Sequence, residues 1–147
     1  MLSFTHSLSL ISRCTRMARG AALRAHGVCG GQVPYLLRLG REPGLTQEEL
    51  SRALCLNKSS VARQVASLER SGLVRREPDP SDRRQQRVYL TERALSLLPE
   101  VRRVVSEWNA YLLAELGEEE RQHLQEVMER LSERARRRIE QEVGWTE

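Results

Sequence analysis

The chain has 147 residues, enough for one domain with a sizeable core, and its 30% charged against 4% aromatic residues fit a helix-rich protein. So few Phe, Tyr and Trp argue against an RNA-binding sheet or a single-strand channel, which need stacking platforms. A formal charge of +4 and a pI near 9.4 favour an anionic partner only mildly, so the placement of the charge matters more than its sum.

Residues 1 to 41 contain six Arg and no acid, with several Ser, which is the composition of an organelle transit peptide. Leu10, Cys14, Met17 and Ala21 form instead a stripe that suits a helix packed on a partner. No apolar run reaches the roughly 18 residues of a membrane span. Arg13, Arg16 and Arg19 interrupt the best candidate, so the chain is expected to be soluble, without a membrane partner. Gly27-Val28-Cys29-Gly30-Gly31 breaks the first helix. A short second helix is predicted from about Gln32 to Arg41, burying Val33, Leu36, Leu37 and Leu39, with Pro34 in its first turn. Glu42-Pro43-Gly44 then turns the chain.

From Thr46 to Leu90 the pattern is two short capped helices followed by a small basic hairpin. Thr46 and Glu49 have the spacing of a capping box, with Leu45 and Leu50 as its hydrophobic staple. Leu50, Ala53 and Leu54 keep one apolar face, and Cys55 reads as a small core residue of the following turn. Asn57 is the second N-cap, with Leu56 and Val61 as a second staple. Two caps a dozen residues apart mean two helices joined by a tight turn.

In the second of them Val61, Val65 and Leu68 share one side. The opposite side carries Ser59, Arg63 and Ser67, with Lys58, Ser60 and Gln64 at its margins. That face is rich in donors and poor in bulk. Gly72 ends the helix where a left-handed residue is cheap, and Leu73-Val74-Arg75-Arg76 begins a strand. Pro78-Asp79-Pro80-Ser81-Asp82 reads as a turn, and Gln86 to Leu90 as the return strand, with Val88 and Leu90 opposite Arg87 and Tyr89. The hairpin tip then projects Arg83 and Arg84. From Lys58 to Arg93 there are nine Lys or Arg against five Asp or Glu, a local net of +4.

Asn57 to Arg63, the segment LERSGLVRR, and above all DPSDRRQQRVYLTERA resemble the MarR family of bacterial transcriptional regulators. The wing motif Asp-Pro-x-Asp-Arg-Arg followed by Val-x-Leu-Thr is specific in combination, where a helix-turn-helix alone would be weak. The likeness is sharp from Thr46 to Ala94 and covers roughly residues 30 to 135 in organisation. Ala62 departs from it, standing where the family often has a hydroxyl residue, so one phosphate or base contact lacks its usual side chain.

The resemblance implies a mainly α fold with a small β-hairpin wing: a winged helix-turn-helix over residues 32–90, a long linking helix over 91–116, and dimerisation helices at 1–26 and 118–143. It implies a cytoplasmic, homodimeric, sequence-specific transcriptional regulator acting on a double-stranded DNA operator. A repressor relieved by a small aromatic or phenolic effector is the form expected. The helix beginning at Lys58 would enter the major groove, with Arg63 and Gln64 reading bases, since Arg suits guanine and Gln adenine by two-point hydrogen bonding. Ser59, Ser60 and Ser67 would fix phosphates or read bases through water. Arg84, beside Arg83, would enter the flanking minor groove, oriented by Asp82. Arg75, Arg76 and Arg87 are expected as phosphate contacts or wing-to-core salt bridges.

After the wing, Thr91 is the expected N-cap of the long helix, and Glu92 complements its dipole. Ala94, Leu98, Val101, Val105, Trp108 and Leu112 form a packed seam. Leu97, Val104 and Tyr111 make a second row, so the helix is expected to bury one face in its own domain and one elsewhere. Pro99 should bend it near its start. Beyond Gly117 a last helix carries the stripe Leu124, Val127, Met128, Leu131, Ala135 and Ile139. From Glu115 to Glu133 seven Glu stand against two Arg, a net of −5 facing the +6 of residues 1 to 41. Those charges are either solvated helix faces or complementary surfaces of two subunits.

No catalytic constellation emerges and no cofactor is implied: His6, His26 and His123 are dispersed, and neither HExxH nor a Walker-type loop occurs. Cys14, Cys29 and Cys55 lack metal-ligand spacing, and their odd number argues against a disulfide framework. Two alternatives remain open: a winged helix used only as a protein-interaction scaffold, and a thiol-based redox-sensing regulator. Against the second, the sensing cysteine of some relatives does not align with Cys14.

Overall fold

The computed structural model describes residue 1 and residues 3–144. The chain is mostly helical and divides into two units, Met1–Trp108 and Asn109–Glu147. In the first, α1 (Phe4–Leu23) is capped by Ser3 and followed by a short 3-10 turn, Arg24–His26. A second 3-10 turn, Gly30–Gln32, leads into α2 (Val33–Arg41). Then come β1 (Leu45–Thr46), α3 (Gln47–Leu54), α4 (Lys58–Arg70), β2 (Val74–Pro78), β3 (Gln86–Leu90) and α5 (Glu92–Leu112).

The segment 27–31 stops α1 as expected, with Gly27 left-handed at φ +71, but Gly30 has a further reason to be glycine. A Cβ there would lie 1.8 Å from the Arg16 carbonyl oxygen, so α1 and the second 3-10 turn meet backbone to backbone. In α2, Val33, Leu36 and Leu39 are buried as expected, while Leu37 is only half-buried. Tyr35, absent from that expectation, is also fully buried.

The wing is larger than a hairpin. The sheet has three antiparallel strands in the order β1-β3-β2, because Leu45 and Thr46 pair with Val88 and Arg87. Pro78, expected in the turn, is instead the last residue of β2 and stands opposite Gln86. It can do so because β2 is an edge strand, where a missing N–H is tolerated. Val88 and Leu90 point into the core, while Arg87 and Tyr89 lie half-buried on the other face.

One hydrophobic cluster joins α2, α3, α4, the sheet and the first half of α5. Leu50, Val61, Val65, Leu68, Leu73 and Val88 have no exposed surface. Each such burial stabilises by about 1.5–3 kcal/mol, more than an exposed ion pair supplies. Both apolar rows of α5 enter this same core at first: Ala94, Leu97, Leu98, Val101 and Val104 are all buried. The two faces part only further on, where Tyr111 is 73% exposed and Leu112 is also open. Pro99 lies within α5, and the helix ends at Leu112, short of the expected 116.

The α1 stripe stays open to solvent within the chain, with Leu10, Cys14 and Ala21 exposed and Met17 74% exposed. In the second unit α6 (Glu118–Val143) begins at the Gly117 cap and has no buried residue. Leu124 and Ile139 are exposed, while Val127, Met128 and Leu131 are half-covered.

Candidate nucleic-acid interface

The two caps that define the helix-turn-helix form as their spacing requires. Thr46 Oγ1 accepts the Glu49 amide at 3.2 Å, and Glu49 Oε2 accepts the Thr46 amide at 2.8 Å. Asn57 Oδ1 accepts from the Ser60 amide at 2.8 Å and from the Ser59 hydroxyl at 2.9 Å. The turn between them differs from expectation. Cys55 is exposed and left-handed at φ 51, not a core residue. Leu56, the expected partner of Val61 in the second staple, is 36% exposed, while Val61 is fully buried. The buried Ser51 hydroxyl closes the turn by donating to the Leu56 carbonyl.

Burial of Val61, Val65 and Leu68 turns the opposite side of α4 outward. Ser59 and Arg63 are exposed there, and Arg63 donates to Ser60 Oγ at 3.3 Å. Lys58, also exposed, stands 3.6 Å from Glu48. Gln64 is half-buried and leans toward the second 3-10 turn, its amide about 4.0 Å from where a Cβ on Gly31 would lie. Ser67 is half-buried as well, and its hydroxyl accepts the Gln32 side-chain amide at 3.2 Å. Its expected place on the open face is therefore corrected: Gln32, itself buried, draws it inward. Arg70, two turns beyond Arg63 on the same face, is exposed, and its seven-residue offset was the overlooked sign.

The basic residues of the wing fall into two groups. Arg87, expected as a phosphate contact or a wing-to-core salt bridge, makes an internal bridge: its guanidinium meets Asp79 Oδ2 at 2.9 Å and donates to the Gly44 carbonyl at 2.8 Å. Two acceptors on the protein thus engage both terminal nitrogens of that planar fork, while the side chain stays partly exposed. Arg76 is likewise paired, at 2.9 and 3.1 Å, with Glu69, while Arg75 lies over the Tyr89 ring and pairs with Glu77. At the tip, Arg83 and Arg84 are exposed, the Arg84 side chain by 91%. Asp82 holds Arg84 by two side-chain contacts, 3.0 Å to Nε and 3.3 Å to Nη2. Among the described residues, no carboxylate pairs with Arg63 or Arg83.

These contacts set the charge states. Hydrogen bonding from Ser81 N–H, then attraction to Arg87, keeps Asp79 below its ordinary pKa. Arg84 lowers Asp82, and Arg76 lowers Glu69 and is itself raised by the pairing. All three carboxylates are therefore ionised at neutral pH and locally cancel the cations they face. The open positive charge is left at Arg63, Arg70 and Arg83, with Arg84 shared between its own carboxylate and solvent. Among the described residues, no group of three or more His, Cys, Asp or Glu could hold a metal, and no helix is long and apolar enough to cross a membrane.

The fold and the motif have known counterparts. The MarR family model matches residues 26–85, from the end of the α1 connection to the wing tip. A MarR transcriptional regulator from Methanosarcina mazei Go1 superposes with a TM-score of 0.85 at 33% identity, over 89% of this chain and 94% of that one. The uncharacterized HTH-type transcriptional regulator YybA of Bacillus subtilis (strain 168) is 24% identical over 142 residues, which span 97% of this chain and 92% of that protein. A MarR family regulator from Listeria monocytogenes, solved in complex with a 26mer DNA, has a TM-score of 0.88 at 21% identity, covering 98% of this chain and 97% of that one. This chain belongs to the MarR family of transcriptional regulators.

Proposed function

We propose that the chain is a homodimeric, sequence-specific DNA-binding repressor, released from its operator by a small effector. The carrying observation is that the side of α4 opposite its core face presents Ser59, Arg63 and Arg70, and that the wing tip displays Arg83 and Arg84. In this reading α4 lies in the major groove, which admits an α-helix. Arg63 and Gln64 read bases, while Lys58, Ser59 and Ser60 bind phosphates or act through water. The tip arginines enter the flanking minor groove, with Asp82 orienting Arg84. That a Listeria relative was solved in complex with a 26mer DNA supports DNA as the partner.

The dimer is supported by apolar surface that the single chain leaves open, at Phe4, Leu10, Ile11 and Met17 on α1 and at Leu124 and Ile139 on α6. The net −5 of Glu115–Glu133 and +6 of residues 1 to 41 add complementary charge. For the effector, a groove of about 570 Å³ beside α1 sets Arg16 and Arg24 next to Met17, Ala21 and Val28. Two guanidinium groups over an apolar floor suit a small acid with a hydrophobic body.

The test is selection of DNA from a random pool by the purified protein, followed by a mobility shift against the selected duplex and sedimentation of the free protein. Two half-sites about ten to eleven base pairs apart are expected for a two-fold dimer. A monomer at micromolar concentration that binds one short site would contradict the dimer. Failure to enrich any sequence would contradict DNA recognition.

A further inference from the structure

Arg93, in the first turn of α5, connects two segments that are far apart in sequence. Its Nη2 donates to the His26 carbonyl at 3.1 Å, and its Nη1 donates to the Ser71 carbonyl. His26 is the last residue of the 3-10 turn that follows α1, and Ser71 is the C-cap of α4. The guanidinium lies between two left-handed glycines, 3.8 Å from where a Cβ on Gly27 would be and 3.7 Å from the same point on Gly72. Both turns have φ +71, so neither carries a side chain that would keep the cation away.

The chemistry of the two ends explains why one Arg serves both. The last carbonyls of a helix lack partners within it and carry partial negative charge. A planar fork with donors on separate nitrogens can answer two such carbonyls from two positions at once, whereas a Lys must bring both to its single nitrogen. Thr91 fastens the neighbouring carbonyl, its Oγ1 donating to Gly72 O at 2.7 Å. One turn back along α4, Ser67 accepts from Gln32, whose own Oε1 accepts the Cys29 amide at 3.0 Å. The segment 24–32 is thus joined to α4 at two points, Gln32 to Ser67 and, through Arg93, His26 to Ser71. Removing the Arg93 bridge leaves the Gln32 contact and the buried Leu23 and Val28, which share the core with Val65 and Leu68, to hold the segment.

We propose that Arg93 is a positioning residue for DNA recognition, fixing the angle between α1 and α4 so that a dimer presents both copies of α4 at one set spacing. The proposal rests on the dimeric DNA-binding reading above. Its signature is selective. A loosened α4 can still settle into one half-site, but two must now be ordered together when both half-sites bind, and that loss of preorganisation falls on the two-site complex.

The experiment measures, by fluorescence anisotropy, full-length wild type, Arg93→Ala and Arg93→Lys on the selected two-half-site duplex and on a duplex with one half-site. Arg93→Ala is expected to lose about tenfold or more on the first and less than about twofold on the second. It should also tolerate one inserted base pair between half-sites better than wild type does. Arg93→Lys, with charge but no fork, should keep the wild-type salt dependence yet recover little two-site affinity, and it carries the comparison if the Ala variant does not fold. Equal losses on both duplexes, or full rescue by Lys, would make Arg93 a general stabiliser or a phosphate contact and overturn the proposal, as would no loss on either. If wild type itself selects no DNA, it is the DNA-binding reading that fails, and this proposal falls with it.

Discussion

Asp79, buried where the wing turn begins, holds Arg87 of the central strand at 2.9 Å, and Arg87 in turn reaches across to the Gly44 carbonyl. One guanidinium thereby joins the wing turn, β3 and the segment before β1. Arg87→Ala would strand the buried carboxylate without its cation, which costs more than the pair itself contributes. The expected outcome is a melting temperature lower by about 5 °C with helix content retained. DNA affinity should fall only as far as the wing loosens, and the salt dependence of binding should keep its slope. A reduced slope with unchanged melting would return Arg87 to the phosphates.

The same carboxylate sets a pH dependence whose sign is fixed. Asp79 titrates below its ordinary value of 3.8 in the folded chain, so the folded state binds its proton less readily than the unfolded one. Its stabilisation is therefore complete above the ordinary value and disappears as pH falls through the lowered one. Glu69, lowered by Arg76, acts in the same direction but is exposed and contributes less. Urea midpoints measured between about pH 6 and 3 should fall on the acid side for wild type. Asp79→Asn should start lower at pH 6, decline less steeply, and meet the wild-type curve at the acid end. Parallel curves would mean that Asp79 is not the titrating group.

How far the sequence could be read follows from the range of each interaction. The caps at Thr46 and Asn57 close over three residues, so spacing alone located them. The α4 core face was visible because Val61, Val65 and Leu68 repeat at helical spacing, and residues 118–143 matched α6 because Gly117 precedes an unbroken stripe. What escaped was long-range. β1 has two residues and no period to detect, and it exists only through its pairing with β3. Arg87 finds Gly44 43 residues away, Gln32 finds Ser67 across 35, and Arg93 finds His26 across 67. Cys55 looked like core because small residues fill turns, but its position in the turn is left-handed and open.

Gly30 illustrates a contact that a breaker motif concealed. An added methyl would sit 1.8 Å from the Arg16 carbonyl oxygen and 2.7 Å from its carbon, both in the backbone of α1, so no rotamer change relieves it. Gly30→Ala should destabilise by about 1–3 kcal/mol through forced displacement of α1. Gly31→Ala is the control, since its nearest neighbour, Arg16 Cδ at 3.6 Å, is at ordinary contact distance. Chemical denaturation of the two variants side by side decides the matter; equal stability would mean that the close approach relaxes freely.

Arg63 is exposed on α4 and bonded only to the Ser60 hydroxyl among the described residues, a weak restraint that a base edge can replace. Arg63→Ala should cost about 1–3 kcal/mol on the best operator and much less on random DNA. Competition binding with both duplexes measures the difference, and an equal loss on the two would assign Arg63 to the backbone.

Arg84 is the counterpart of Arg87, three residues earlier and opposite in surroundings. Its side chain is 91% exposed and, among the described residues, pairs with Asp82, two residues away at the same tip. An exposed pair of this kind adds little to stability, but it sets Asp82 beside the guanidinium before any partner arrives. The minor groove of A·T-rich DNA is narrow and strongly negative, which favours an inserted guanidinium over a more heavily hydrated ammonium. Arg84→Ala should therefore leave the melting temperature within about 1 °C of wild type. It should weaken operator binding and reduce the salt slope by about one counterion per wing. Preference for A·T pairs beside the half-sites should vanish with it, and Arg84→Lys should restore part of the affinity but little of that preference. Asp82→Asn separates orientation from charge: it removes the guide while making the tip more positive. If orientation matters, this variant binds random DNA more tightly yet discriminates flanking sequence less. Tighter binding with undiminished discrimination would show that Asp82 only screens Arg84 and does not aim it.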